Sequence, residues 1–227
     1  VDIDALILSL KLAFLVSCVL LVLGFPLAYW MAFSRRRWKF LMESLVALPL
    51  VLPPTVLGFY LLVALGPQSP LGRLWREWTG HTLAFTFEGL VIGSILYSLP
   101  FAVQPITSSF VSIDPKLIAA SSSLGASAFR TFFRITVPLA MPGILTGFVL
   151  AFAHTLGEFG VVLMIGGNIP GVTRTVSIAI YDEVQGLNYT SANQAALLLL
   201  AVSLLTLCIA YGLNRRHSQL GPAGGHR

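Results

Sequence analysis

From Leu6 to Phe33 the chain carries one charged side chain, Lys11. A bilayer core of ~30 Å is crossed by a helix of ~20 apolar residues, so this run is long enough to span with tilt or projection to spare. Lys11 lies near its start, where its stem can reach back to the interface. Four more apolar stretches follow, at about Leu41–Leu65, Phe87–Phe110, Leu139–Leu156 and Ala195–Leu213. Only 10% of the 227 residues are charged, against ~25% in soluble domains. Continuous rather than alternating apolar runs point to helices and not to a membrane barrel. The expected fold class is therefore an all-α membrane protein with about five spans, six being possible. The first run is too long for a cleaved leader and is followed by Arg35-Arg36-Arg37, so it reads as a retained anchor.

Charge sets the expected orientation. With five spans, one side carries Arg35, Arg36, Arg37, Lys39, Lys116, Arg130, Arg134, Arg215, Arg216 and Arg227, and the other carries Arg73, Arg76 and Arg174. The basic side faces the cytoplasm. The N-terminus is then expected outside and the C-terminus inside, in a multi-pass protein of a bacterial inner membrane. A sixth crossing by residues 159–184 would put Arg215 and Arg216 opposite the 114–138 loop, which disfavours it. Residues 1–214 read as one membrane domain and 215–227 as a cytoplasmic tail. Trp75 and Trp78, between the second and third runs, suit an interfacial helix.

Proline and glycine punctuate the spans. Pro49, Pro53 and Pro54 break the second run, either as a bent helix lining a pathway or as a packing kink. A further break is expected near Ser98-Leu99-Pro100. Gly89/Gly93 and Gly143/Gly147 are small-xxx-small pairs, suited to close helix contacts within one subunit or across a dimer. Cys18 and Cys208 fall in apolar runs and are expected to be buried, unpaired thiols. The four histidines show no ligand spacing, so no metal site is expected.

One of the few long excursions from the bilayer is Asp114–Pro142. Asp114 suits an N-cap and Pro115 the first helical position. A short helix over Lys116–Leu124 is then stopped by Gly125, which accepts a left-handed cap. Ser127 can cap a second helix in which Phe129, Phe132, Phe133 and Thr136 share a face.

Several chemistries are excluded. None of the three lysines follows a glycine, so no G-x-x-x-x-G-K phosphate loop exists, and H-E-x-x-H and G-x-S-x-G are also missing. No catalytic residue is expected. Glu158 is the one acid in an apolar neighbourhood, between Gly157 and Gly160, and so is a functional candidate. A carboxylate would repel an anion, so it is expected to pair with Arg174 or a backbone N–H and shape the outer mouth, or else to reach water at the interface. Neither Lys nor Arg lies deep in a span. Hydroxyls such as Thr55, Ser94, Ser98 and Thr146 offer weak contacts to a passing ion.

The set Ala119-Ala120-Ser121, Gly125, Ile135, Val137-Pro138 resembles the EAA loop of ABC-importer permeases. That motif reads Glu-Ala-Ala, three residues, Gly, nine residues, Ile, one residue, Leu-Pro. Ala119 stands in place of the glutamate and Ser121 in place of the second alanine. Leu48–Gly58, Thr155–Gly160 and Asn168–Thr175 are similar to the molybdate permeases of that family, with sulfate/thiosulfate and tungstate permeases as close alternatives. The resemblance runs from about Ser9 to Leu213. It implies a type I importer permease fold, with a coupling helix that sits in a cleft of a separate ATPase. Ala119, Ala120, Ser121, Gly125, Ile135 and Pro138 would form the coupling element. The pathway or gate candidates are Pro49, Pro53, Pro54, Thr55, Ser98, Thr146, Glu158 and Arg174. It also implies a homodimer, two ATPase subunits holding the ATP and Mg, and an external oxyanion-binding protein. This chain itself would bind no cofactor and no nucleic acid. A secondary transporter or channel, the reading from another class, would need coupling carboxylates or basic rings within the spans.

Overall fold

The computed structural model describes residues 2–219, and these are helical throughout their regular structure. Helix α1 (Ile3–Phe33) is N-capped by Asp2, whose carboxylate accepts from the Ala5 N–H at 3.0 Å. It packs against α5 (Phe87–Val111) and α8 (Val137–Leu156), and α5 and α8 pack on each other. Leu12, Val16, Leu20, Leu90, Ala102 and Ala151 form one part of the resulting core, and Val103, Ile106, Phe110 and Ala140 another. The interface of α5 and α8 is tight because Gly143 and Gly147 face it. A Cβ on Gly147 would stand 2.7 Å from the Ala102 carbonyl, and one on Gly143 would stand 2.6 Å from the Pro105 carbonyl. Both glycines thus serve contacts within one chain.

The second apolar run is two helices, α2 (Lys39–Val51) and α3 (Pro54–Leu65), bent by 112°. The residue before a proline is pushed out of the helical region. Leu52 (ψ 134°) and Pro53 (ψ 135°) each precede one, and both are extended. Among the described residues, four helical segments are long and apolar enough to cross a membrane, five if α2 and α3 form one bent span. The expected break at Ser98–Pro100 is not there. α5 continues through Pro100 and Pro105, held between α1 and α8 while its prolines are accommodated.

An amphipathic helix, α4 (Pro70–Thr79), follows α3 and leaves Trp78 fully in the open. After α8 come α9 (Gly160–Gly166), a turn-rich loop, and α10 (Val176–Gln185). α9 packs against α3, bringing Gly58 to Met164 and Gly160 to Pro54. The Val176 N–H donates to Ser9 at 2.8 Å and ties α10 to α1. α11 (Tyr189–Gln219) begins six residues before the apolar run expected at Ala195 and continues past residue 214. The remainder of the expected tail, 220–227, lies outside the described residues. Cys18 is half-buried, but Cys208 is exposed on α11, contrary to expectation. An outward thiol on an apolar helix is at home in lipid.

Candidate functional site

Two places concentrate the features singled out in the sequence. The first is the 114–138 loop. α6 (Pro115–Ser123) is capped by Asp114, whose carboxylate accepts from the Lys116 N–H at 2.9 Å. Gly125 closes it with φ +77°. The Gly125 N–H donates to the Ser122 carbonyl at 3.0 Å, and the Ala126 N–H donates to the Ser121 carbonyl at 3.1 Å. That pair of bonds is the Schellman arrangement, which needs a left-handed residue where Gly125 stands. Ala119 and Ala120 lie on α6, with Ala119 exposed, while Ser121 turns inward and its hydroxyl lies 2.8 Å from that of Thr131. Ser127 caps α7 (Ala128–Thr131) as its N–H acceptor for Arg130.

The second helix of the loop differs from the expected short, separate one. α7 runs through a π turn (Phe132–Thr136), which holds Ile135, straight into α8 and Pro138, so 128–156 is one helix. The π turn also breaks the expected aromatic face. Phe132 packs on Tyr29 of α1 at 5.2 Å between ring centres and Thr136 is buried, whereas Phe129 and Phe133 are exposed. Exposed Leu124 stands beside them, at the turn between α6 and α7. The outcome is an elbow: an exposed surface of small and apolar residues joined to the base of a long helix.

The second place is the other end of α8. A cavity of about 600 Å³ opens there between α3, α5, α8 and α9. Pro54 and Thr55 from the α2–α3 bend, Tyr97, His154, Glu158 and Met164 line it. Ser98 does not line it: its hydroxyl lies 2.9 Å from His154 Nδ1 and 2.8 Å from Thr155 Oγ1. Phe101 stacks on the His154 ring at 3.9 Å. His154 is thereby oriented from two sides, and its ring forms part of the cavity wall. Metal-ligand spacing gives no hint of His154. The signal was its place one helical turn before Glu158.

The expected Glu158–Arg174 pair does not form. Arg174 bridges Asp2 at 3.5 Å and Asp182 at 3.3 Å, joining the chain's first residues to α10. Glu158 sits in the break between α8 and α9, only 4% exposed, and both carboxyl oxygens lack a hydrogen-bond partner among the described residues. The Ser94 hydroxyl of α5 is close enough to act on its charge yet is itself unpartnered. Burial pushes the carboxyl up from the usual range to about 8, with Ser94 pulling weakly the other way. Thr146 spends its hydroxyl on the Pro142 carbonyl of its own helix at 2.7 Å. Pro49 is buried inside α2, and Pro53 is the cap of α3. Of the pathway candidates, then, Pro54, Thr55 and Glu158 share one cavity, and the others lie elsewhere.

Residues 24–219 match the family described as binding-protein-dependent transport system inner membrane component. The chain belongs to that family. Among its relatives is the molybdenum transport system permease protein ModB of Azotobacter vinelandii, 50% identical over 94% of this chain and 95% of that protein. The ModB of Escherichia coli K12 is 39% identical over 93% of each. A probable sulfate transport system permease protein of Chlorella vulgaris is 30% identical over 92% of this chain and 78% of that one. The fold of this inner membrane component is that of solved ABC importers. A bacterial alginate importer superposes with a TM-score of 0.76 at 20% identity, covering 94% of this chain and 79% of the other. The methionine transporter MetNI does so at 0.75 and 16% identity, covering 95% of each. The type I importer permease architecture expected from the sequence is the one found.

Proposed function

We propose that this chain is the membrane permease of an ATP-driven importer that passes molybdate. The observation that carries the reading is the 50% identity to a molybdenum transport permease over nearly the whole of both chains. The chemistry of the chain fits it. A doubly charged oxyanion held tightly in a membrane would call for fixed cations. None lines the cavity beside α8 among the described residues, as suits a conduit for an ion selected elsewhere. Selection is then the work of an external binding protein, and hydrolysis the work of two ATPase subunits holding ATP and Mg.

In this reading two copies of the chain form the pathway at their shared axis. The N-terminus lies outside the inner membrane and the C-terminus inside. α6 is the coupling helix, with Ala119, Ala120 and Ser121 giving close approach to an ATPase cleft, and the exposed Leu124 and Phe129 flanking it. The α2–α3 bend and the α8–α9 break are the irregular backbone that lines a pathway.

Reconstitution tests this. The chain, its cognate ATPase and its binding protein in proteoliposomes should take up molybdate at the expense of ATP, and the chain alone should hydrolyse none. Uptake competed by tungstate and sulfate ranks the substrates. Uptake of sulfate in preference to molybdate would move the assignment to the sulfate branch, and ATP-independent uptake would end the importer reading.

A further inference from the structure

We propose that Glu158 is a charge-state switch at the α8–α9 break: as a neutral acid it stays packed against α5, and as a carboxylate it swings into the adjoining cavity and bars an oxyanion. The inference rests on the oxyanion reading above and adds a regulator to it. Three observations on the molecule carry it. Among the described residues, the carboxyl is sealed from solvent with no hydrogen-bond partner for either oxygen, and the Ser94 hydroxyl it faces has none either. An ion cannot stay in such a place without a counter-charge, whereas a neutral acid can. The backbone just before it is not held by side-chain packing: a Cβ on Gly157 would find nothing nearer than the helix's own carbonyls at 3.7 and 4.0 Å, whereas Gly160 after it is closed against Pro54 and serves as the fixed end. Finally, somewhere to go lies next to the residue, since Glu158 lines the cavity of about 600 Å³.

The groups that face Glu158 do not replace the missing counter-charge. α5 presents Tyr97 and Ser94, and α8 presents His154, which is engaged by Ser98. α3 contributes Pro54 and Thr55, and α9 contributes Leu163 and Met164, none of them ionisable. Tyr181 of α10 packs on the neighbouring Phe159 ring. A rise in pH therefore ionises the acid where it cannot remain. Its carboxylate then enters a space lined by Thr55, Tyr97 and His154, and like charge repels the anion.

The test is uptake in proteoliposomes carrying the complete transporter, with equal pH on both sides, comparing wild type with Glu158→Gln. Glutamine keeps the shape and the neutral state, so the ratio of variant to wild-type uptake should be near one at pH 7. One unit above a titration near 8 leaves roughly ten ionised acids per neutral one. The ratio should therefore rise severalfold between pH 7 and pH 9. Effects of pH on the ATPase or the binding protein cancel in that ratio. A ratio that stays constant from pH 7 to pH 9, or a glutamine variant inactive at pH 7 where wild type works, overturns the switch. Absence of molybdate uptake by wild type at every pH instead overturns the transport reading itself.

Discussion

Substitutions at Gly125 separate the geometry of α6 from its chemistry. The residue stands at φ +77° and any Cβ there would meet open space, with nothing inside 4 Å. The cost of a side chain is thus conformational and not a clash. A left-handed residue with a Cβ costs roughly 1–2 kcal/mol, asparagine less because it visits that region readily, and a branched residue more. If the cap opens to escape that cost, the bonds from the Gly125 and Ala126 N–H groups are lost, each worth about 1 kcal/mol. The expected order of harm is Asn below Ala below Val, with alanine bringing the capped and open forms to within about 1 kcal/mol of each other and a branched residue tipping the balance to the open form. The Ser121–Thr131 contact should keep α6 near its place, so all three variants should insert and fold. Detergent pull-down of the ATPase, together with uptake in proteoliposomes, reads the effect. Equal binding and uptake for Asn, Ala and Val would refute the argument that the left-handed cap aims a docking helix.

Gly147→Val should destabilise the α5–α8 contact by about 1–3 kcal/mol, since its Cβ would stand 2.7 Å from the Ala102 carbonyl. Thermal unfolding in detergent should show a clear drop that Gly157→Ala, with its nearest atoms at 3.7 Å, does not. Single cysteines at the exposed Glu77 and Val172 should react with an impermeant thiol reagent from outside, and one at Ser123 only from inside. Labelling of Val172 from the cytoplasmic side alone would refute the five-span topology.

What the sequence disclosed was whatever local chemistry decides. Asp114, Pro115 and Gly125 bound α6 because caps and left-handed turns depend on single residues, and Pro53-Pro54 bends the second span because adjacent prolines exclude helix for the residues before them. The misreadings share a cause. Pro100 was expected to break α5, yet packing by α1 and α8 overrides one proline. The aromatic face at 129–136 presumed a period of 3.6, and the π turn does not keep it. Charge alone pairs Arg174 with Glu158, whereas the fold gives it Asp2 and Asp182, the first of them at the far end of the sequence. His154 joined the cavity through Ser98 and Phe101, partners that no linear spacing reveals.

The π turn at Phe132–Thr136 yields the last prediction, because the faces on both sides of it are already committed. Below it, Thr131 meets Ser121 and Phe132 packs on Tyr29 and Phe25. Above it, Gly143 and Gly147 lie against α5. An α-helix turns ~100° per residue, so a regular helix with the same residues could not satisfy both sets. The turn absorbs one surplus residue, as such bulges do at functional sites. Deleting the exposed Arg134 should therefore let the segment close into regular α-helix with both faces kept, and ATPase binding and uptake should persist. Inserting one alanine after Arg134 adds a second surplus residue that the turn cannot absorb. It should swing α6 and α7 by about 100° about the axis of α8, so that the chain still inserts but transport is lost. Because 128–156 is one helix, a docking motion at α6 reaches His154 and the break at Glu158 only if that register holds. Full uptake by the insertion variant, or loss of ATPase binding in the deletion variant, would show that the π turn does not set the register between elbow and cavity.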